Sequence, residues 1–503
     1  MTQQALLDDY TALSSTNNFY TRNRNRWEYL YNSYSGGEDY RQGAYLTQYN
    51  LETAGEYQAR LNNTPLDNHC QSVIQTYISF MFREEPEREF YDWAGLPDVE
   101  AFLKDADMEN RSLDAFMKQV ATWVSVFGHG FIIMTKPNLG AVSLGQELAM
   151  GVRPYVNFLA PLIVSDWTWT RDPGGKYVLT YFKYVEDVAD GITTVREWTP
   201  DTIKTWIMDD LKKEAYLKAE EPNMLGMIPV IMVYNQRGIV RDMGISDITD
   251  IADLQRQIYN LQSENEQSIR MDGHPSLVVP PTAQLGSGAG ALIVLSENSD
   301  PGQNPYYLEH SGAGVASIHS SIDKLVEAID RISFTGGVRG TVTKTMSGIA
   351  MATEFELLNA KLSEKADQLE LAEEQIWRLF GMYQNRVWNG EVEYPGSFNI
   401  RDQQREFAEL ATAKSAATSP ETLRIIDFRV RELLEDPTLP EVEDIEMMDD
   451  PETIEKKSVL VVPDEEVIDT HLMSNPETGE VQQVTTQEQH RALLQQGWVE
   501  GEL

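Results

Sequence analysis

The sequence predicts an α+β fold, in which helices and strands occupy separate stretches of the chain. Between residues 152 and 235, short runs rich in Val, Ile, Tyr, Trp and Thr are separated by Pro, Gly and Asp, as in antiparallel strands. On both sides of this region, apolar residues recur at intervals of three and four, the period of a helix. We find no fixed-period repeat, which argues against solenoids and propellers.

The first 150 residues are predicted to be mostly helical. Apolar residues at helical spacing run from 56 to 82, and Pro65 predicts a break or a helix start inside that run. Two further helices are expected over 98–108 and 112–127, and then a strand over 131–134. The strands predicted after them cover 153–159, 176–185, 193–199, 202–208 and 228–234.

A different pattern begins at residue 246. Ser246 is a good N-cap for a helix over 246–272, about 40 Å long at 1.5 Å per residue. A strand-and-loop segment, 273–316, separates this helix from a second one, predicted over 317–333. A glycine-rich loop follows over 334–351 and leads into a long helix over 352–389. Two shorter helices are expected after it, over 402–415 and 420–434, with Pro420 at a first helical position.

The charge balance excludes several classes of protein. With 41 Lys and Arg against 79 Asp and Glu, the net charge is −38, whereas a reader of free duplex DNA usually carries a basic patch.

The single cysteine, Cys70, excludes an intrachain disulfide and a cysteine-based zinc cluster. No run of about 18 apolar residues is present, so we expect no membrane partner. Residues 437–503 hold 17 acids and 3 bases, and we interpret them as an acidic tail or a loosely attached segment.

The sequence contains no motif that predicts a catalytic residue, a metal site or a cofactor. The seven histidines have no metal-binding spacing and are interpreted as ordinary loop and surface residues. No Walker motif, dinucleotide fingerprint or nucleophile elbow occurs. The best enzyme hypothesis is a glycosidase with acids such as Asp166, Asp172 and Glu186, but among 79 acids this signal is non-specific. We therefore expect a protein that is not an enzyme.

The helix predicted over 317–333 carries opposite charges on its two flanks. Asp323, Glu327 and Asp330 lie on one flank, and Lys324 and Arg331 lie on the other. One interpretation is a solvated surface helix with incidental patterning. The sharper interpretation is head-to-tail packing, in which the acidic flank of one subunit meets the basic flank of the next and the contacts close into a ring.

The glycine-rich loop is the one long segment without acids. Between Arg331 and Glu354 the only charged residues are Arg339 and Lys344. Four glycines would provide loop mobility: Gly336, Gly337, Gly340 and Gly348. Repeated around a ring, such loops would place a collar of positive charge in an acidic tunnel, where Arg339 and Lys344 would contact DNA. A plain surface loop is the alternative.

The order and separation of several segments resemble those of portal proteins of tailed bacteriophages, the ring subunits at the DNA-entry vertex of the capsid. The N-terminal stretches "YSGGEDYRQGAYL" and "YQARLNNTPLDNHCQSVIQTYISFMFREEP" resemble the opening of one portal family, and "VFGHGFIIM" resembles its helix-to-strand passage. "SDITDIADLQRQIYNLQSENEQSIRMDGHPSLVV" resembles a stem helix entering the clip. "YYLEHSGAG" is similar to the last clip strand, and "TKTMSGIAMATEFELLNAKL" to the tunnel loop and the helix behind it.

The resemblance implies a portal-type fold: a wing of helices and strands, a two-helix stem, a small α/β clip, a long wing helix and a helical crown. By position, the N-terminal part of the wing is 1–245, the stem helices are 246–272 and 317–333, and the clip is 273–316. The tunnel loop is 334–351, the long wing helix 352–389, the crown 390–436 and the acidic C-terminal tail 437–503.

The resemblance also implies partners and a location. The subunits would form a homo-oligomeric ring of twelve in the virion, at the portal vertex beside the major capsid protein, after assembly in the host cytoplasm. Double-stranded DNA would pass through the channel during packaging and ejection. The terminase large subunit would dock at the clip and later give way to a head-tail adaptor protein. Two alternatives remain: another structural ring of the phage neck or tail, and an acidic carbohydrate-active enzyme.

Overall fold

The structure, a computed structural model, describes residues 3–137, 150–273, 276–279, 313–339 and 348–398. It also describes the short segments 284–285, 293–294, 306–308, 410–414, 471–474, 481–484 and 499–500, and the single positions 146, 419, 422, 426 and 430. The chain forms two compact units, residues 1–399 and 400–503. Helices and antiparallel sheets coexist in the first unit, which confirms the α+β class.

Seven helices are described in the first 127 residues. They are α1 (Gln3–Ser14), α2 (Asn18–Ser35), α3 (Gly37–Gln42), α4 (Ala54–Asn63), α5 (His69–Met81), α6 (Pro97–Lys104) and α7 (Leu113–Phe127). The predicted break at Pro65 is confirmed, because it falls between α4 and α5. Thr53 and Glu56 form a capping box at the start of α4, and the Asn68 side chain caps α5.

Nine strands precede the long excursion of the chain. They are β1 (Glu87–Glu89), β2 (His129–Thr135), β3 (Tyr155–Leu159), β4 (Val164–Arg171), β5 (Tyr177–Ala189), β6 (Ile192–Trp198), β7 (Thr202–Asp209), β8 (Glu214–Pro222) and β9 (Val230–Tyr234). Strand β2 is the centre of a three-stranded antiparallel sheet, in the order β3-β2-β9, and β4 to β8 form a five-stranded antiparallel meander. The five strands predicted over 153–234 are confirmed. Strands β4 and β8 were not predicted, because their acidic and basic residues interrupt the apolar alternation.

The chain then leaves this body and returns to it, a segment we call the helical excursion (residues 249–333). It consists of α8 (Thr249–Gly273), two small strand pairs and α9 (Ala313–Ser333). The first pair joins β10 (Ser276–Val278) to β13 (Tyr306–Leu308), and the second joins β11 (Gln284–Leu285) to β12 (Ile293–Val294). Helix α8 begins three residues later than predicted, and α9 begins four residues earlier.

The chain after the excursion forms α10 (Gly336–Arg339) and α11 (Gly348–Tyr383), and β14 (Glu391–Glu393) then pairs with β1. The long helix therefore starts at Gly348 rather than at 352 and ends at Tyr383 rather than at 389. Two parts of the predicted loop over 334–351 are helical: 336–339 in α10, and 348–351 at the start of α11. Residues 340–347 lie outside the described residues.

The main hydrophobic core lies where α5, α7, α8 and α11 pack against the three-stranded sheet. Trp27, Phe131, Trp377 and Phe380 are among its largest fully buried side chains. Helix α1 packs separately on the five-stranded sheet, where the buried Lys183 Nζ donates to the carbonyl oxygens of Leu13 and Ser15. A lysine at the carboxyl end of a helix satisfies carbonyls that have no partner inside the helix.

The second unit contains a three-stranded antiparallel sheet with the order β16-β15-β17. Its strands are β15 (His471–Ser474), β16 (Val481–Val484) and β17 (Val499–Glu500). The acidic segment 437–503, interpreted from its charge as a tail or a loosely attached segment, therefore contains strands where it is described. Positions 410–414, 422, 426 and 430 are helical, in agreement with the two predicted short helices where those residues are described. In the described parts of the chain, no helix combines the length and apolarity needed to cross a bilayer.

Candidate functional site at the base of the helical excursion

Polar contacts with α5, α10 and α11 hold the base of the helical excursion. Helix α9 ends at Ser333, whose backbone carbonyl accepts a hydrogen bond of 2.6 Å from the buried hydroxyl of Tyr77 on α5. The same Tyr77 oxygen accepts a hydrogen bond of 3.2 Å from Lys361 Nζ on α11. One tyrosine therefore joins the end of the excursion to two helices of the main body.

Arg339, on α10, contacts three side chains on two other helices. Its guanidinium donates to Asp330 Oδ1 at 2.9 Å on α9, and to Ser72 Oγ at 3.0 Å on α5. A third nitrogen lies 2.9 Å from Nδ1 of His69, at the start of α5. The Arg339 side chain is only 11% exposed, so this cation is used within the subunit in the conformation described.

The neighbours of Arg339 show the electrostatic cost of this arrangement. Burial raises the pKa of the Asp330 carboxyl, and the nearby Arg339 opposes that shift. Since an arginine can only donate, the Nδ1 of His69 accepts and its Nε2 carries the proton. That Nε2 lies 3.2 Å from Asp67, and the contact with His69 lowers the pKa of Asp67.

A second group of buried charges joins the start of the excursion to α11. Asp247, two residues before α8, lies between two lysines: its carboxylate oxygens are 2.6 Å from Lys365 Nζ and 3.1 Å from Lys361 Nζ. Lys365 also donates to Ser125 Oγ at 2.7 Å and to the side-chain oxygen of Asn235. Both ends of the excursion are thus fixed to the same helix through one pair of lysines.

Burial and charge act in opposite directions on this second group. Burial alone would raise the pKa of Asp247, but the two lysines outweigh it and hold the pKa below its ordinary value. Burial lowers the pKa of Lys365, and Asp247 partly compensates. A buried charge is strongly destabilising without its partner, so the three groups hold one another in place.

Sequence reasoning missed most of this site. His69 was interpreted as an ordinary loop or surface residue, but it is buried, and so is His129. The sequence did contain a pattern that predicts buried lysines. Lys361 and Lys365 are three residues after Leu358 and Leu362, on the apolar face of α11. Asp247 gave no signal, because its partners lie more than a hundred residues away.

The predicted DNA contacts lie on and beside this site. Arg339 is the cation described above, so a DNA contact by its side chain needs the contacts with Asp330, Ser72 and His69 to open. Lys344 lies outside the described residues. The predicted DNA-contact role of both cations remains a prediction.

The predicted mobile glycines lie in two settings. Gly336 and Gly337 are in the helical turn α10, where the Gly336 N–H donates to Glu354 Oε1 at 2.7 Å. A Cβ at Gly336 would lie 2.8 Å from that same oxygen, so a larger residue would require the Glu354 side chain to move. The predicted role of these glycines in loop mobility remains a prediction. Gly348 is the first residue of α11, and Gly340 is outside the described residues.

The charged flanks predicted for α9 are partly used within the subunit. Asp330 pairs with Arg339 of the same chain, and its place on an acidic flank that packs against a neighbouring subunit remains a prediction. Asp323, Lys324, Glu327 and Arg331 are exposed on α9. Their role in packing between subunits remains a prediction.

Two of the three acids of the enzyme hypothesis, Asp166 and Asp172, lie too far apart to act as a catalytic pair. Asp166 and Asp172 are six residues apart along one extended segment, about 20 Å, whereas paired glycosidase acids lie about 5–9.5 Å apart. Glu186 pairs with Arg196 at 2.9 Å, and Asp172 accepts from the backbone N–H of Lys176. Among the described residues, no group of three His, Cys, Asp or Glu side chains has a geometry that could hold a metal ion.

Comparisons with known proteins give structural neighbours only. The sequence matches no protein-family model and no curated protein. A chain from the neck of an empty gene transfer agent (GTA) particle, computed with C6 symmetry, has a TM-score of 0.42 and 9% identity, with 71% of this chain and 89% of that chain covered.

Two further neighbours come from native GTA particles. A chain of the virion has a TM-score of 0.39 and 8% identity, and a chain of the neck, computed with C12 symmetry, has a TM-score of 0.37 and 9% identity. Both cover 71% of this chain and 89% of the other chain. These TM-scores are too low to carry an inference about what this chain does.

Proposed function

We propose that this chain is the subunit of a phage portal ring, a channel through which double-stranded DNA enters and leaves the capsid. The observation that carries the proposal is the helical excursion. Two helices of 25 and 21 residues lead out from and back to one body, with small strand pairs between them. At 1.5 Å per residue, α8 alone extends about 37 Å.

The fixed base supports this assignment. The Asp247–Lys365 and Asp330–Arg339 pairs and Tyr77 fasten both ends of the excursion to α5 and α11. A projection fixed in this way can act as a rigid wall of a channel. Its orientation is then set by the main body of the subunit and not by a flexible linker.

Charge supports a conduit rather than a DNA-binding protein. A net charge of −38 per subunit, repeated around a ring, gives duplex DNA no deep binding site, so the barrier to sliding stays low. Salt softens the repulsion across the hydrated gap, with a Debye length of about 8 Å at physiological ionic strength. Lys344, in the acid-free segment, is then the candidate for a weak contact with passing phosphates.

In this proposal the strand pairs at the far end of the excursion form the clip, which docks the terminase and later an adaptor. Twelve subunits form the ring at one vertex of the virion, and the chain is not itself an enzyme. Negative-stain electron microscopy of the purified full-length chain tests the proposal. We expect closed rings of about twelve-fold symmetry with a central hole. Monomers with a single deep pocket would exclude a portal and favour the carbohydrate-active enzyme.

A further inference from the structure

Two patches at opposite ends of strand β5 carry opposite charge, and each exposes apolar side chains. Tyr177 is the first residue of β5, and Ala189 is the last, so the ends lie about 40 Å apart at 3.3 Å per residue. We call the patch around Tyr177, formed by the β4–β5 turn and the loop over 236–245, the basic end, and the patch around the β5–β6 turn that follows Ala189 the acidic end.

The basic end is built around Tyr177. The guanidinium carbon of Arg171, on β4, lies 4.7 Å from the centre of the Tyr177 ring, and that of Arg241 lies 3.1 Å from it. The two arginines lower the pKa of the Tyr177 hydroxyl. Neither arginine pairs with a carboxylate within the described parts of the chain, and Lys176 and Arg237 add two exposed cations nearby.

The loop over 236–245 supplies the apolar part of the basic end. Ile239 is fully exposed, and Val240 and Ile245 are about half exposed. The loop is nevertheless ordered, because Ile245 N–H donates to the Gln236 carbonyl at 2.8 Å, and the Tyr234 hydroxyl donates to the Arg241 carbonyl. An ordered loop that exposes Ile and Val beside arginines has the composition of an interface centre.

A crossing of two glycines holds this loop against the main body. Gly244 passes so close to Gly128 that an added Cβ at Gly244 would lie 1.8 Å from the Gly128 carbonyl oxygen. The acids nearest these cations along the chain are Asp172, which accepts from the backbone of the β4–β5 turn, and Asp242, which is half buried beside Arg241. Asp201, Glu220 and Glu221 lie at the same end of the sheet but on β8 and in the β6–β7 turn, where Glu220 is 3.8 Å from Lys204. The exposed charge of the patch around Tyr177 is therefore positive.

The acidic end consists of two neighbouring hairpin tips. Asp190 and Gly191 both have positive φ, at 52° and 79°, which fixes the tight turn between β5 and β6. Asp187 and Asp190 are exposed and have no cationic partner among the described residues. The exposed apolar residues are Val188, Ile192 and, from the β7–β8 tip, Leu211.

The cations of the acidic end are occupied within it. Lys212 pairs with Asp209 at 2.7 Å, and Lys213 Nζ donates to the Tyr10 hydroxyl at 2.9 Å. The Asp210 carboxylate accepts from Tyr10 and from Thr193. The charges left for a partner are those of Asp187 and Asp190, so the exposed charge of this end is negative.

We infer that the basic end of the sheet in one subunit binds the acidic end of the sheet in a second copy of this chain. The occupant follows from charge complementarity. Copies with a net charge of −38 repel one another, so a stable contact has to bring opposite charges together. Because the two patches differ and lie at opposite ends, the contact is head-to-tail and repeats from copy to copy, as a closed ring requires.

This inference rests on the proposed ring, and a charge-swap experiment separates the two. The basic-end variant is Arg171→Glu with Arg241→Glu. The acidic-end variant is Asp187→Lys with Asp190→Asn, since Asn tolerates the positive φ at that turn. The control is Lys104→Glu with Lys118→Glu, which makes the same change in charge on α6 and α7. The readouts are analytical ultracentrifugation and negative-stain imaging, with circular dichroism to verify folding.

We expect each swap alone to lower the fraction of chain in rings at least tenfold, the control to leave it unchanged, and the combination of both swaps in one chain to restore rings. Rings that survive both single swaps, or a combination no better than either, would overturn the contact while the ring stands. A wild-type chain that sediments as a monomer would overturn the ring itself.

A covalent test covers the case in which a swapped chain does not fold. Val188→Cys with Ile239→Cys places one thiol at each end, and the only native cysteine, Cys70, is fully buried. A short bis-maleimide should convert the rings into a ladder of covalent oligomers, whereas each single cysteine should give at most dimers. Intact rings without a ladder would overturn the contact.

Discussion

His129 is a neutral histidine enclosed by aromatic rings. It is fully buried on β2, its ring centre is 5.5 Å from that of Trp27, and neither ring nitrogen has a hydrogen-bond partner among the described residues. Burial lowers its pKa to about 3. In the unfolded chain the pKa returns to about 6.5. Between pH 6.5 and pH 3, the unfolded state therefore binds a proton that the folded state does not bind.

The consequence is a loss of stability as the pH falls from 6.5 towards 3. Between pH 7 and pH 5 we expect His129 to reduce the free energy of unfolding by about 2 kcal/mol, at 1.36 kcal/mol per pKa unit. His129→Phe keeps the aromatic packing and removes this loss. Denaturant unfolding of both proteins at pH 7 and pH 5 measures the difference, and equal pH dependence in the two would contradict it.

Asp247 and Lys365 form a buried ion pair in which each charge needs the other. Asp247→Asn leaves two lysines without their anion, and we expect a loss of about 3–5 kcal/mol in the free energy of unfolding. The combination with Lys365→Met should be less destabilising than the sum of the two single changes, because it removes the stranded charge together with its partner. Chemical denaturation of the four proteins measures the coupling, and additive losses would show that the pair is not coupled.

Arg339 and Lys344 differ in what they do for the subunit. Arg339→Ala leaves the half-buried Asp330 without its cation. We expect a loss of about 1–3 kcal/mol in the free energy of unfolding, which Asp330→Asn partly restores.

For Lys344→Ala we expect an unchanged melting temperature and reduced retention of packaged DNA, measured by nuclease protection. Unchanged retention would remove the DNA role from Lys344.

The helical excursion is the element that the sequence predicts best. Its helices have narrow apolar stripes, and Ile251, Ile258 and Ile329 of those stripes are buried as the spacing requires. What the sequence could not predict is how the ends are fixed. The Arg339–Ser72 contact joins residues 267 positions apart, and no local pattern records such a pair.

The glycine-rich segment shows the same limit. Gly336 and Gly337 are typical of a loop, yet acids from outside the segment, Asp330 and Glu354, hold that part of it in a helical turn. The acidic C-terminal region differs for another reason. The strands β15 to β17 have only two to four residues each, which is too short for period-two alternation to be recognised.

The strand pairs of the excursion should be dispensable for folding. Ser276 pairs with Leu308, so the ends of α8 and α9 lie close enough for a short linker. No described residue of 276–308 belongs to the hydrophobic core. A chain with a Gly-Ser linker in place of 274–312 should keep its melting temperature within a few degrees and still form rings, but lose terminase binding. Loss of folding, measured by circular dichroism, would contradict this.

At the scale of the whole molecule, the distribution of charge matters more than its total. Of the −38, −14 lies in residues 437–503, and several cations of the first unit are used in internal pairs, such as those of Arg60, Arg88 and Arg386. The exposed remainder is acidic apart from patches such as the basic end of the sheet. Such a surface should repel duplex DNA while it allows subunits to join at defined places.

The most direct test of this account is a cryo-electron microscopy map of the assembled full-length chain. We predict a ring of about twelve subunits in which α8 and α9 line a central channel wide enough for B-form DNA. A chain that stays monomeric, or a ring with the helical excursion on its outer rim, would contradict the portal assignment.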